Sequence, residues 1–232
     1  MLTNVTTAPS ARLEGVSKFY ETAAQRVTAL KDMSWEVSPG EAVALMGPSG
    51  CGKTTILNLL GGMDRPTSGA VFAGGENIGA MTERELENYR LRKVGFVFQF
   101  FNLIPSLSAL ENLELPMLMA GMRAEERRGR AESLLDTVGL KATGYKRPEE
   151  LSGGEQQRVA VCLALVNDPP IILADEPTGN LDSANAKIIT KILVDLARER
   201  GKTVIVASHD PKAVESFPRV CHMRDGLIER VS

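Results

Sequence analysis

An α/β fold, with a mainly parallel sheet and helices on both faces, is what this chain of 232 residues predicts. Three observations carry that expectation. Short apolar strands alternate with helical stretches along much of the chain. The segment Ala42-Val43-Ala44-Leu45-Met46 reads as a buried strand, and it runs through a glycine-rich turn into a helix starting Thr55-Ile56-Leu57-Asn58-Leu59-Leu60. The wholly apolar strand Ile171-Ile172-Leu173-Ala174 ends in two carboxylates, Asp175 and Glu176. A hydrophobic content of 43% is enough to bury a real core, and this length suits a single α/β unit.

Taken in order, Arg12 to Glu14 and Met33 to Val37 read as strands. Val71 to Ala73 reads as another, entered through the turn-forming Pro66-Thr67-Ser68-Gly69. Glu83 to Arg92 is expected to be a helix, and Val94 to Phe98 a strand ending at Gln99. From Ser108 to Leu140 the pattern turns helical. Within it, Ala124 to Val138 places apolar residues on one face and Glu125, Glu126, Arg127, Arg128 and Arg130 on the other, a solvated helix face. A helix over Glu155 to Val166 precedes the strand Ile171 to Ala174. The helix Ser183 to Arg200 then ends at Gly201, a C-terminal stop. Thr203 to Ala207 is a strand, and Val220 to Ile228 a hairpin around Asp225-Gly226. The helical stretch between Gln99 and Leu151 interrupts the strand–helix rhythm and reads as an insertion into the core.

Composition excludes several classes. A net charge of −2 argues against a nucleic-acid surface. No apolar run reaches the length of a membrane span; the most hydrophobic long segment, Leu103 to Met122, is broken by Pro105, Glu111, Glu114 and Pro116. Met1 to Ser10 is polar and lacks the basic-then-apolar order of a secretion signal. Cys51, Cys162 and Cys221 have no metal-ligand spacing and read as reduced cytosolic thiols. His222 reads as structural.

Gly47-Pro48-Ser49-Gly50-Cys51-Gly52-Lys53-Thr54 fits the P-loop pattern G-x-x-x-x-G-K-[ST] without a mismatch, in the strand–loop–helix setting the motif needs. Glycines bring backbone N–H groups close to phosphate oxygens, and the helix start adds unpaired donors and a positive dipole end. Lys53 supplies a charge for the β- and γ-phosphates, and the Thr54 hydroxyl a ligand for Mg²⁺. Two carboxylates at the end of an apolar strand are costly without a cation beside them. Asp175 is therefore expected to hold the metal, and Glu176 to orient or deprotonate the attacking water. In Leu151-Ser152-Gly153-Gly154-Glu155-Gln156-Gln157-Arg158, Ser152 and Glu155 form a capping box. The two glycines make that helix start a second anion site. One nucleotide needs one P-loop, so the second site makes sense if it closes over a nucleotide held by another copy of the chain.

Together these residues resemble the ATP-binding subunit of an ABC transporter. Leu151 to Glu155 is similar to the family's signature motif, Gly47 to Thr54 to Walker A, and Ile171 to Glu176 to Walker B with its glutamate. Gln99 is similar to the Q-loop glutamine, Asn180-Leu181-Asp182 to the D-loop, and His209 to the switch histidine. Tyr20 stands where the family places an aromatic under adenine. The resemblance covers residues 11 to 230 and implies a P-loop NTPase core with a small antiparallel β subdomain and an inserted α-helical subdomain. Residues 11–98 and 158–232 would be the RecA-like core with its β subdomain, and 99–157 the helical subdomain with the signature, all within one domain, 1–232.

The resemblance further implies an ATPase using ATP and Mg²⁺. Glu176, His209 and Gln99 would be catalytic, and Thr54, Gln99 and Asp175 would serve the metal. Tyr20, Gly47, Pro48, Ser49, Gly50, Cys51, Gly52, Lys53, Thr54, Thr55, Ser152, Gly153, Gly154 and Asp182 would contact nucleotide. A thiol at Cys51 makes inhibition by alkylation an expectation. Where similar proteins read Ala-Arg-Ala-Leu, this chain has Cys162-Leu163-Ala164-Leu165, so Leu163 loses a family contact behind the site.

The loop Tyr20 to Leu30 and the run Gln99 to Leu113 are similar to the lipoprotein-releasing and macrolide-exporter group. That group implies a homodimer closing on ATP, an integral-membrane permease with a large extracytoplasmic domain, and a periplasmic adaptor. The chain would sit on the cytoplasmic face of the inner membrane, yet be soluble when expressed alone. A permease helix would dock over Phe100 to Leu118. The alternative is a cell-division-type regulatory ATPase that signals through a permease-like partner. A soluble repair or translation ATPase is disfavoured by the single short cassette.

Overall fold

The computed structural model describes residues 10–21 and 26–232. Two long strands, β1 (Ala11–Glu21) and β2 (Arg26–Val37), pair antiparallel, and both exceed the short segments expected from sequence. Register shifts between Leu13 and Val16 and again between Val16 and Lys18 explain the difference. Each bulge resets which side chains face inward, so the alternation that marks a half-buried strand is lost. The expected loop from Tyr20 to Leu30 is accordingly strand at both ends, with residues 22–25 outside the described part. Residues 1–9 of the polar N-terminus also lie outside it.

Next comes β3 (Ala42–Met46), then α1 (Lys53–Leu60). β4 (Ser68–Ala73) and the two-residue β5 (Glu76–Asn77) join β1 and β2 in an antiparallel sheet of order β2-β1-β4-β5. Helix α2 (Glu83–Arg92) leads into β6 (Val94–Val97), one residue shorter than expected. The helical stretch is two helices, α3 (Ala109–Met119) and α4 (Ala124–Thr137). Gly121, at φ 83°, turns the chain between them in a conformation that glycine adopts without strain. α5 (Gly153–Leu165), β7 (Ile171–Asp175), α6 (Ser183–Arg200), β8 (Thr203–Ser208), the short α7 (Pro211–Val214), β9 (Arg219–Arg224) and β10 (Leu227–Val231) complete the fold. As expected, Gly201 ends α6 in the left-handed region, at φ 63°.

The larger sheet has the order β10-β9-β3-β8-β7-β6, parallel throughout except for the β9–β10 hairpin. Strict alternation along its strands separates two cores. Val43, Leu45, Leu173, Ile205 and Ala207 point to one side, where Ile56 and Leu57 of α1 and the antiparallel sheet meet them. Ala42, Ala44, Ile172, Ala174, Val204 and Val206 point to the other, against Val159 and Val161 of α5 and Ile189 and Leu193 of α6. One face of the sheet is thus covered by α1, α2 and a second sheet rather than by helices alone. Each fully buried Ile or Leu contributes about 1.5–3 kcal/mol. The strands can read as near-continuous apolar runs because both faces are buried.

Candidate active site

Three strand ends deliver the site. β3 runs into the loop of Gly47 to Thr54, β7 ends at Asp175, and β8 ends at Ser208 beside His209. These strands are neighbours in the order β3-β8-β7, so their carboxyl ends open side by side.

The loop is shaped by its glycines. A side chain at Gly47 would meet the Met223 carbonyl oxygen at 2.3 Å, and one at Gly52 the Ala29 carbonyl oxygen at 2.5 Å. Gly52 also sits at φ 105°, and a Cβ on Gly50 would meet nothing. Among the described residues, the backbone N–H groups of Gly50, Gly52, Lys53 and Thr54 meet no backbone acceptor. Free donors at a helix start fit a phosphate. Lys53 is only 5% exposed, and its Nζ donates to the carbonyls of Gly47 (2.7 Å) and Pro48 (3.0 Å). Cys51 points the other way: its side chain is buried in the core under the loop, and its backbone carbonyl accepts from Gly226 N. That burial shields the thiol expected to be open to alkylation. Cys162 is also buried, which pushes its thiol up to about 12.

Thr54 Oγ1 donates to Asp175 Oδ1 at 3.2 Å, joining residues remote in sequence. Burial pushes the Asp175 carboxyl up; Glu176 adds to this, while the Thr54 hydroxyl and Lys53 oppose it. A divalent cation would remove that penalty. A hydroxyl and one carboxylate, completed by phosphate oxygens and water, suit Mg²⁺.

Glu176 adopts φ 47°, unusual for a residue with a Cβ, and its N–H donates to the Ala207 carbonyl at 2.9 Å. His209 Nδ1 donates to Glu176 Oε1 at 2.8 Å, and Lys53 Nζ lies 4.0 Å from the same oxygen. Ser208, absent from the expected set, is fully buried. Its hydroxyl donates to Glu176 Oε2 (3.3 Å) and accepts from Asp210 N (3.1 Å). The only sequence signal for it was a hydroxyl closing an apolar strand just before His209.

Gln99 lies two residues beyond β6, and its side chain is close to Gly179, where an added Cβ would come within 3.1 Å of Nε2. Its carbonyl accepts from Asn180 Nδ2 at 3.1 Å. Tyr20 stands near Thr55, at the start of α1, and its hydroxyl donates to Asp64 Oδ2 at 2.8 Å. The Asp182 carboxylate is committed to capping α6, accepting from Ala184 N and Asn185 N at 2.9 Å each.

Ser152, Gly153 and Gly154 stand apart from this cluster. Ser152 caps α5 in the expected capping box, its N–H and hydroxyl both donating to Glu155 Oε2 at 2.8 Å. Gly153 is open: a Cβ added there would come no nearer than 3.7 Å to its closest contact, the Phe101 ring. A side chain at Gly154 would strike the Asn185 side chain at 2.2 Å, so this glycine is required by packing within the chain. The backbone and hydroxyl bonds from Ser152 hold the Glu155 carboxyl below the usual range. A lowered folded value stabilises the protein above the ordinary carboxylate range, and that contribution is lost as pH falls through the folded value. Glu155→Gln keeps an acceptor for the cap but cannot titrate. Thermal melts from about pH 6 to 3 should show less acid destabilisation for this variant than for the parent.

A phosphate-cradling loop beside a strand-end aspartate and a glutamate–histidine pair defines a nucleoside triphosphatase. The ABC transporter family profile matches residues 30–179. The lipoprotein-releasing ATP-binding protein LolD of Chromohalobacter salexigens is 44% identical, over 94% of this chain and 92% of that protein. The macrolide export ATP-binding/permease protein MacB of Syntrophobacter fumaroxidans is 44% identical over 94% of this chain but 31% of that longer protein. The dimeric ATP-binding cassette MJ0796, in a post-hydrolysis state with ADP and Pi, superposes with a TM-score of 0.89 at 43% identity. That match covers 96% of this chain and 97% of that one. The chain belongs to the ABC transporter family, as an ATP-binding subunit and an ATPase.

Proposed function

We propose that two copies of this chain close over two ATP molecules, and that the closing pair drives a membrane permease. The observation that carries this reading is the division of the phosphate-suited groups. Lys53, Thr54, Asp175, Glu176 and His209 are joined by short contacts, whereas Ser152 and Gly153 present a second helix start that none of those contacts reaches. Each nucleotide would lie between one copy's loop and the other copy's signature. The dimeric state of the similar cassette MJ0796 supports this arrangement.

In each half, the N–H groups of Gly50 to Thr54 and the Lys53 ammonium bind the phosphates. Thr54 and Asp175 would hold Mg²⁺, with Gln99 as a further ligand; the ion would neutralise phosphate charge. Glu176 takes the proton of the attacking water, and Ser208 and His209 hold its two oxygens in place. Closure follows because ATP binds the closed pair better than the open one, and only that difference can do work.

The permease would meet the surface around Phe100 (71% exposed), Leu118 (54%) and Met119 (70%), beside a groove lined by Met63, Phe96, Pro116 and Leu163. Leu163, unlike an arginine, adds an apolar wall to that groove, which Arg90 and Asn167 also line. No helix among the described residues is long and apolar enough to cross a membrane. Similarity to LolD and MacB favours lipoprotein release or export, with a permease bearing a large outer domain, a periplasmic adaptor, and the chain peripheral on the cytoplasmic face of the inner membrane. The regulatory alternative uses the same closure without moving cargo. Reconstitution in vesicles with a permease of the lipoprotein-releasing or macrolide-exporter type should raise the ATPase rate and move cargo. Stimulation without cargo movement favours the regulatory reading; a rate untouched by the permease overturns both.

A further inference from the structure

Tyr20, a member of the expected nucleotide set, has its side chain anchored by residues that the expected set does not contain. Its hydroxyl donates to Asp64 Oδ2 at 2.8 Å. Asp64 is itself held: Oδ1 accepts from Lys18 Nζ at 2.5 Å and from Arg65 N at 2.7 Å. Lys18 Nζ also donates to the Arg65 carbonyl at 2.8 Å and lies 4.9 Å from the centre of the Tyr20 ring. The ammonium is thus pinned by two oxygens while it covers one face of the aromatic ring. Burial pushes the Tyr20 phenol up and Asp64 adds to this, while the Thr55 hydroxyl opposes it. The ring remains 37% exposed.

We propose that Asp64 is a positioning residue for nucleotide recognition: it fixes the Tyr20 ring by its hydroxyl, and Lys18 closes one ring face so that a purine base stacks on the other. This rests on the stacking role of Tyr20 carried by the reading above. The physical gain is pre-organisation. A tyrosine on a strand end loses side-chain freedom when a base lands on it, and a ring already held by its hydroxyl has less to lose. A flat base carries no requirement for hydrogen bonds to the platform, so the effect acts through the base and leaves the triphosphate contacts alone.

The test is calorimetric titration of the full chain with ATP and, separately, with inorganic tripolyphosphate, which has no base. Tyr20→Ala should weaken ATP about 5-fold or more, the loss of a stacked base. Asp64→Ala and Tyr20→Phe, each cutting the tether by a different partner, should weaken ATP about 2- to 10-fold. Asp64→Asn, which keeps an acceptor for the hydroxyl, should recover most of that loss. Tripolyphosphate affinity should stay the same in every variant, and the Tyr20→Ala/Asp64→Ala double variant should bind ATP no worse than Tyr20→Ala. If Tyr20→Ala weakens ATP while Asp64→Ala and Tyr20→Phe do not, the tether is overturned and the stacking role stands. If Tyr20→Ala leaves ATP binding unchanged, the stacking role falls and the proposal falls with it. An equal loss of tripolyphosphate affinity in Asp64→Ala also overturns the proposal, because the effect would then run through the phosphates.

Discussion

Glu176→Gln should cut the ATPase rate by roughly 10²-fold or more, the usual contribution of a positioned general base, while ATP affinity stays close to that of the parent. The substitution is nearly isosteric, so the surrounding bonds have a way to persist. The amide oxygen can still accept from His209 Nδ1, and the amide nitrogen can donate to the Ser208 hydroxyl, which is able to accept. The left-handed backbone at φ 47° is the same burden for glutamine as for glutamate. What disappears is the capacity to take a proton from water. With hydrolysis stopped and binding retained, the variant should run as a dimer on sizing chromatography in ATP and as a monomer without it. A monomer in both conditions would remove the closing-pair mechanism.

Lys53→Ala should weaken ATP binding about 10- to 100-fold, the range for losing charge-assisted hydrogen bonds. The ammonium is nearly sealed from solvent and already aimed across the loop by the carbonyls of Gly47 and Pro48. A phosphate oxygen placed there meets an oriented donor that has little water left to shed. Lys53→Arg should not rescue, because a planar fork cannot replace a compact ammonium where only 5% of the residue is exposed. Titration calorimetry checks both variants; parent-like affinity for Lys53→Ala would separate this lysine from the phosphates. Melting temperature is the control, since the change also removes the 4.0 Å contact to Glu176.

Much of the site could be read along the chain because its chemistry is contiguous there. The turn of Gly47 to Thr54, the carboxylates Asp175-Glu176 and the cap Ser152–Glu155 each lie within a few residues, and each obeys local geometry. Gly201 could be read as a stop for the same reason. β1 and β2 were only partly legible, since bulges near Val16 break the alternation that marks a strand. Ser208 escaped notice because a serine at a strand end is ordinary until a glutamate from the next strand points at it. Asp64 escaped because the tyrosine it holds enters from a different part of the chain.

By itself, then, the sequence determined the α/β core, the phosphate loop, the acid pair and the family, all features set by neighbours along the backbone. Tertiary structure alone decided that Thr54 meets Asp175, that Ser208 and His209 grip Glu176, that Cys51 faces the core, and that Ser152 stands clear of its own chain's loop. The order in which parallel strands lie side by side made those choices. It brings together chain segments whose separation carries no local signal, and packing then selects which side chains face the cleft.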